Sequence, residues 1–264
     1  MSVFNIDTPA SPKARDKMLA LFVSDVHLSE NLPRTTTAFL RFLREQAMFS
    51  EHLYLLGDLF EYWAGDDDIG DHYNRLITQA LREVSDAGVK VFWMAGNRDF
   101  LVGQNFACET GTTLLNDPTQ IQIADRTFII THGDALCTDD TDYMAFRTMV
   151  RQVNWQTAFL SKPLSERKAL ISQMRKASNT EQQNKSMEIM DVNQEAVNAL
   201  FLANDKSTLI HGHTHRTALH RGSLGERYVL PDWDCDHGSQ TRGGWLSLSR
   251  EGELKFVDVS SLAV

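Results

Sequence analysis

The chain has 264 residues, 42% of them hydrophobic and 23% charged, a composition that fits a soluble globular protein of one or two domains. Its net charge of −9 argues against a general nucleic-acid binder, because phosphate backbones need a basic surface. Three cysteines (Cys108, Cys137, Cys235) without C-x-x-C spacing suit a reducing compartment, and neither an apolar signal segment in residues 1–17 nor a membrane-length apolar run is found.

Met18 to Val23 is a short, continuously apolar run of the buried-strand kind, ending in Ser24-Asp25-Val26-His27. Thr37 to Met48 carries Phe39, Leu40, Leu43 and Ala47 at helical spacing. Leu53 to Leu56 reads as a strand running into Gly57-Asp58. Tyr73 to Ala87 reads as a helix stopped by Gly88. Val89 to Met94 is a third strand, followed by Gly96-Asn97-Arg98-Asp99. Ile121 to Ala124 and Thr127 to Ile130, with a turn near Asp125, read as a hairpin ending in His132-Gly133-Asp134. Alternating strands and helices predict an α/β layered fold.

From Asp142 to Asn204 no strand-like run occurs. Tyr143, Phe146, Val150 and Val153 are expected on one helical face, Leu170, Ile171 and Met174 on another, and Val192, Ala196, Leu200 and Ala203 on a third. This helical insertion is locally basic in an acidic chain: Arg147, Arg151, Lys162, Arg167, Lys168, Arg175, Lys176 and Lys185 against Glu166 and Glu181. Thr208 to Ile210 resumes the sheet and delivers His211, His213 and His215; Arg227–Leu230, Trp245–Leu248 and Leu254–Val259 complete it. Residues two apart on extended backbone point the same way, so Asp25 with His27, and His213 with His215, can each share a target.

Five strand ends thus carry five polar motifs: Asp25-x-His27, Gly57-Asp58, Gly96-Asn97-Arg98-Asp99, His132-Gly133-Asp134 and His211-Gly-His213-x-His215. Sites in open α/β sheets gather beyond the carboxyl ends of strands. Imidazole with carboxylate oxygen and no thiolate suits Mn²⁺ or a similar borderline divalent ion. Asp66-Asp67-Asp68 reads as a solvated acidic loop, Cys137 as a small packing residue, and His211 as structural.

These five motifs resemble those of the calcineurin-like metallophosphoesterases. The resemblance implies a sandwich of two mixed β-sheets flanked by helices over residues 18–264, a helical cap insertion at about 142–204, and an N-terminal extension at 1–17. It implies one metal held by Asp25, His27, Asp58 and His215, a second by Asp58, Asn97, His132 and His213, and thus a pair of Mn²⁺ ions sharing Asp58. Leu59-Phe60-Glu61-Tyr62-Trp63-x-Gly65-Asp66-Asp67-Asp68, His132-Gly133-Asp134-x-Leu136-Cys137-Thr138-Asp139-Asp140 and Met190-Asp191-Val192-Asn193 are similar, more narrowly, to the diphosphatases that act on UDP-2,3-diacylglucosamine in the lipid A pathway. That likeness implies attack at the α-phosphorus, with UMP and 2,3-diacylglucosamine 1-phosphate (lipid X) as products. It implies catalytic roles for Asp58, Asn97, Arg98 and His132, and substrate contacts from Asn97, Arg98, Asp140, Ser178, Lys185 and His213. Gln182 departs from the asparagine usual in those enzymes. The implied partners are the lipid-linked UDP-sugar and the anionic inner-membrane surface, met peripherally from the cytoplasmic side. Another nucleotide-diphosphate conjugate is the alternative substrate.

Arg98 stands where most metallophosphoesterases have a histidine. A guanidinium, with a pKa above about 12, cannot give a leaving group its proton, but it can clamp phosphate oxygens. This favours cleavage that expels a phosphate monoester, whose second pKa of about 6 makes protonation unnecessary.

Overall fold

A computed structural model describes residues 17–182, 191–204, 207–238 and 241–262, with the backbone alone for 177–182. The first half alternates β1 (Met18–Val23), α1 (Pro33–Glu45), β2 (Ser50–Leu56), α2 (His72–Asp86), β3 (Lys90–Met94), α3 (Gln104–Thr110) and β4 (Thr113–Leu115). The hairpin β5 (Thr119–Ile123) and β6 (Arg126–Thr131) follows. Four helices come next: α4 (Thr141–Val150), α5 (Val153–Leu160), α6 (Leu164–Gln182) and α7 (Gln194–Ala203). The chain closes with β7 (Thr208–His211), β8 (Ala218–Arg221), β9 (Glu226–Val229), β10 (Gly244–Leu248) and β11 (Leu254–Asp258).

The strands form two mixed sheets. One runs β11-β10-β1-β2-β3-β4, parallel from β1 to β4 and antiparallel at β10 and β11. The other runs β5-β6-β7-β9-β8, parallel at its centre and antiparallel at both edges. Strand alternation explains their union. Ala20, Phe22, Tyr54, Leu56 and Met94 point from the first sheet onto Phe128, Ile130, Ile210 and Tyr228 of the second. The intervening residues Leu21, Val23, Leu53, Leu55 and Val91 face outward and bury against Phe39, Phe42, Ile77 and Leu81 of α1 and α2. Each fully buried large side chain in these layers contributes roughly 1.5–3 kcal/mol. α7 covers the outer face of the second sheet through Val197 and Phe201.

Four local expectations change. α1 starts at Pro33, whose fixed φ suits the first helical turn, and ends at Glu45. α3, β4 and β8 add elements too short to show a period. Val153 does not extend the face of Tyr143, Phe146 and Val150: α4 stops at Val150, α5 begins at Val153, and the Val153 side chain is 76% exposed. The acidic triplet is not solvated as a unit. Asp66 accepts from Trp63 Nε1 (3.0 Å) and from the Gly103 and Phe106 amides at the start of α3; Asp67 pairs with Arg167 and Asp68 with Lys168.

The basic excess of the helical segment is engaged in the same way. Arg147 bonds Asp134, Arg151 bonds the Gly96 carbonyl, Lys162 pairs with Glu166, and Arg175 pairs with Glu61. Arg167, 2% exposed despite its charge, reaches the Ala64 carbonyl besides Asp67. Most of the described cations in this segment therefore fasten it to the acidic loops of the sheets.

Candidate metallophosphoesterase site

The carboxyl ends of β1, β2, β3, β6 and β7 meet at one edge of the sandwich. Backbone bonds stitch their loops together: Asp25 N to Gly57 O (3.1 Å), His27 N to Asp58 O (3.0 Å), and Gly212 N to His132 O (2.9 Å). Asp25 Oδ2 accepts the His213 amide at 2.8 Å, which joins the two sheets across the site. Two glycines permit this closeness. A Cβ at Gly212 would overlap Asp25 Oδ2, and one at Gly96 would overlap Asp58 Oδ1 and its amide nitrogen.

Asp25, His27, Asp58, Asn97, His132, His213 and His215, scattered over 191 positions of sequence, are thereby brought together. Donor atoms of Asp25, His27 and His215 all lie within 4.8 Å of one another, and so do those of Asp25, Asp58 and His132. Asn97 Oδ1 is 2.9 Å from His132 Nε2 and 2.9 Å from His213 Nδ1. Asp25 belongs to both of these groups and Asp58 to the second. Asp58 is held by the Arg98 amide (2.8 Å to Oδ1), 3.7 Å from His132 Nε2.

The backbone here departs from the extended form expected of strand ends. Asp25, His27, Asp58, His213 and His215 all have positive φ, between 53° and 69°; among the described non-glycine residues only Ala124, in a hairpin turn, shares that conformation. Each such residue costs on the order of 1–3 kcal/mol, and strain of this kind collects at functional sites. The left-handed kink also alters what each side chain reaches. His213 and His215 do not share a target: His215 faces His27 (3.3 Å between Nε2 atoms), whereas His213 turns to Asn97 and stacks on Tyr143. His211 stays buried behind them, bonded to Gly212 O and Arg227, and burial lowers its pKa to about 3, which keeps it neutral.

The electrostatics suit cations. Asp25 is fully buried, and its Oδ1 lacks a hydrogen-bond partner. Burial alone would raise its pKa, yet the His215 imidazole 3.5 Å from Oδ1 and the charges of His132 and His27 hold it well below the carboxylate range. His132 is opposed by burial, but Asp58, Asp25 and Asp134 push it up to about 9. Acidic oxygens therefore outweigh cations around it, and a metal binding there would displace its proton. Burial, followed by His132, lowers His213 to about 4. Asp99, the last residue of the Gly-Asn-Arg-Asp motif, is fully buried and accepts the Gly96, Leu59 and Asp58 amides at 2.8, 2.9 and 3.3 Å. Burial and the neighbouring Asp58 raise its carboxyl to about 6.

A cavity of about 790 Å³ opens onto this cluster. Its polar floor includes Asp58, Asn97, Arg98 and His213, and its wall is made by Phe100, Trp155, Phe159, Ile171 and Met174, with Asp140 and Arg175 at intervals. Sequence reading placed Asn97, Arg98, Asp140 and His213 here. It missed Glu61, Tyr143, Trp155 and Arg175, single residues of ordinary type whose proximity comes only from the path of the helices. Ser178 and Gln182 fall on the last turns of α6; their side chains, and Lys185 entirely, lie outside the described residues.

Comparison with known proteins agrees with this arrangement. Residues 18–217 match the calcineurin-like phosphoesterase family. The chain is 47% identical over 223 residues to the UDP-2,3-diacylglucosamine hydrolase of Aromatoleum aromaticum, covering 83% of this chain and 91% of that protein. It is 44% identical over 229 residues to the hydrolase of that name from Chromohalobacter salexigens (85% and 93% covered) and 44% over 249 residues to the one from Ralstonia nicotianae (91% and 92%). The chain is thus a hydrolase of the calcineurin-like phosphoesterase family and belongs, within it, to the UDP-2,3-diacylglucosamine hydrolases.

Proposed function

We propose that the chain cleaves the pyrophosphate bond of UDP-2,3-diacylglucosamine by attack of water at the α-phosphorus, releasing UMP and 2,3-diacylglucosamine 1-phosphate. The observation that carries this reading is the joining of an apolar cavity to a cluster of carboxylates and imidazoles, since the substrate unites acyl tails with a diphosphate. The orphaned Asp25 Oδ1, the opposed Nε2 atoms of His27 and His215, and an oxygen–imidazole donor set all fit divalent ions such as Mn²⁺. Asp25, His27, Asp58 and His215 would hold one, and Asp58, Asn97, His132 and His213 the other. Such ions supply charge that acidifies water and offsets the developing phosphoryl negative charge.

The chain's own groups do the rest. Arg98 lines the cavity with Nε 3.9 Å from Asp58 Oδ2, placed to clamp phosphate oxygens. It holds no transferable proton, and the departing sugar 1-phosphate needs none. Asn97 Oδ1, His132 Nε2 and His213 Nδ1 converge, the oxygen 2.9 Å from each nitrogen, and would face the second ion together. Residues 142–204 act as a cap: Trp155, Phe159, Ile171 and Met174 shelter the acyl chains and exclude water, while Ser178 and Lys185, with Asp140 just before the cap, contact the sugar and phosphate. Among the described residues no helix is long and apolar enough to cross a membrane. Substrate capture would be peripheral, on the cytoplasmic face of the inner membrane, through the exposed Met149, Val153 and Leu160 of the cap.

Incubation with UDP-2,3-diacylglucosamine and Mn²⁺ in H₂¹⁸O tests the reading. UMP carrying the label is expected. Absence of UMP, or label in the lipid 1-phosphate, refutes it, and equal turnover of a tail-free UDP-sugar refutes the cap's role.

A further inference from the structure

The imidazoles of the cluster differ in what stands behind them. His132 Nδ1 lies 2.8 Å from the Leu56 carbonyl oxygen, while His132 Nε2 and His213 Nδ1 both face the Asn97 amide oxygen inside the cluster. His27 and His215 are backed by carboxylates instead: Glu61 Oε2 lies 3.2 Å from His27 Nδ1, and Asp232 Oδ2 lies 3.4 Å from His215 Nδ1. At this spacing the buried His27 Nδ1 faces Glu61 as an ion-pair contact and makes no hydrogen bond. Each carboxylate is itself held by an arginine from outside the five motifs. Arg175 of α6 donates to Glu61 Oε1 and to its carbonyl oxygen. Arg242 donates to Asp232 Oδ2 from Nε (2.9 Å) and Nη2 (2.8 Å), and Asp232 is only 4% exposed. Beyond the rings, the two Nε2 atoms face each other beside Asp25, with the far His215 nitrogen 3.5 Å from Asp25 Oδ1.

A carboxylate that takes the Nδ1–H fixes the tautomer with its lone pair on Nε2, orients the ring, and makes that nitrogen a better donor. A backbone carbonyl oxygen, as behind His132, does this with less charge. We propose that Glu61 and Asp232 are positioning residues that make the Asp25–His27–His215 group the tighter of two divalent-cation sites, with Arg175 and Arg242 locking them in place. The proposed ligand sets agree: the first has Asp25 where the second has the neutral Asn97. Because Arg175 also lines the apolar cavity, the cap helix that shelters substrate braces a metal ligand as well. The assignment rests on the proposed metal centre.

The test is titration of Mn²⁺ into chelator-stripped protein by calorimetry, with free Mn²⁺ followed by electron paramagnetic resonance. Wild type is expected to bind in two steps. E61Q and D232N should each weaken the tighter step by about 10–100-fold and leave the weaker within about twofold. R242Q, which alters a side chain 61% exposed and outside the cavity lining, should weaken the same step to a smaller degree. Wild-type titrations for E61Q and D232N, or equal weakening of both steps, overturn the proposal. If the two buried-site variants fail to fold, an unchanged tight step in R242Q overturns it. A folded wild-type chain that takes up no Mn²⁺ refutes instead the metal-centre reading on which it rests.

Discussion

Replacing Asp134 by alanine tests how the helical segment is fastened to the site. Asp134 is fully buried; it accepts from Tyr143 Oη at 2.6 Å and from Arg147 Nε at 2.8 Å. Tyr143 in turn stacks on His213, so the contact joins α4 to the loop after β7. Breaking a buried ion pair costs about 3–5 kcal/mol. Two features pull the figure down: Asp134 Oδ1 has no hydrogen-bond partner, and Arg147 is 19% exposed and has Asp117 within 3.5 Å as a substitute. The expected loss is therefore about 2–4 kcal/mol, read by urea unfolding in the presence of chelator. At roughly 2–4 °C per kcal/mol for a chain of this size, the midpoint temperature should fall by about 5–15 °C. The pH dependence has a definite sign. Burial raises the Asp134 pKa, but His132, His213 and Arg147 overcome it and hold the carboxyl well below its ordinary 3.8. A depressed carboxylate contributes above its unfolded pKa and loses that contribution as pH falls toward the folded value. The gap between wild type and variant should therefore be full at pH 6 and shrink below about pH 4. A change under about 1 kcal/mol at pH 6, or a gap that widens in acid, would refute the clamp.

In Gly96→Ala the added methyl must displace Asp58, both its carboxylate and its backbone nitrogen. A shift of about 1 Å there should lower turnover by on the order of 10²-fold, and wild-type kinetics would contradict the packing. Asp58→Ala and His132→Ala should each abolish hydrolysis, as should chelation, with activity returning to wild type alone when Mn²⁺ is restored; retained activity in either variant would remove the dinuclear premise. Val153→Asp, on a side chain that touches little of the protein, should reduce sedimentation with anionic lipid vesicles and leave unfolding within about 0.5 kcal/mol of wild type. Unchanged sedimentation would place the membrane contact elsewhere.

The sequence by itself determined the layered α/β architecture, because continuous apolar runs make doubly buried strands and 3.6-residue spacing makes their covering helices. It also determined the polar residues at the strand ends, since a motif such as Gly96-Asn97-Arg98-Asp99 is local and strand alternation fixes where it emerges. Only the tertiary structure decided how these residues divide between two donor groups. That depends on a left-handed backbone at Asp25, His27, Asp58, His213 and His215, which breaks the alternation a strand would impose. The partners of Glu61, Asp134 and Asp232 were equally hidden, for each pairs with a cation or imidazole far away in sequence or on another element. Likewise, the basic excess of residues 143–185 was legible as a count, but its partners were not. Most of its described cations meet the carboxylates of loops following β2 and β6, because a partly buried charge is stable only when paired, and the pairing is set by which elements pack together.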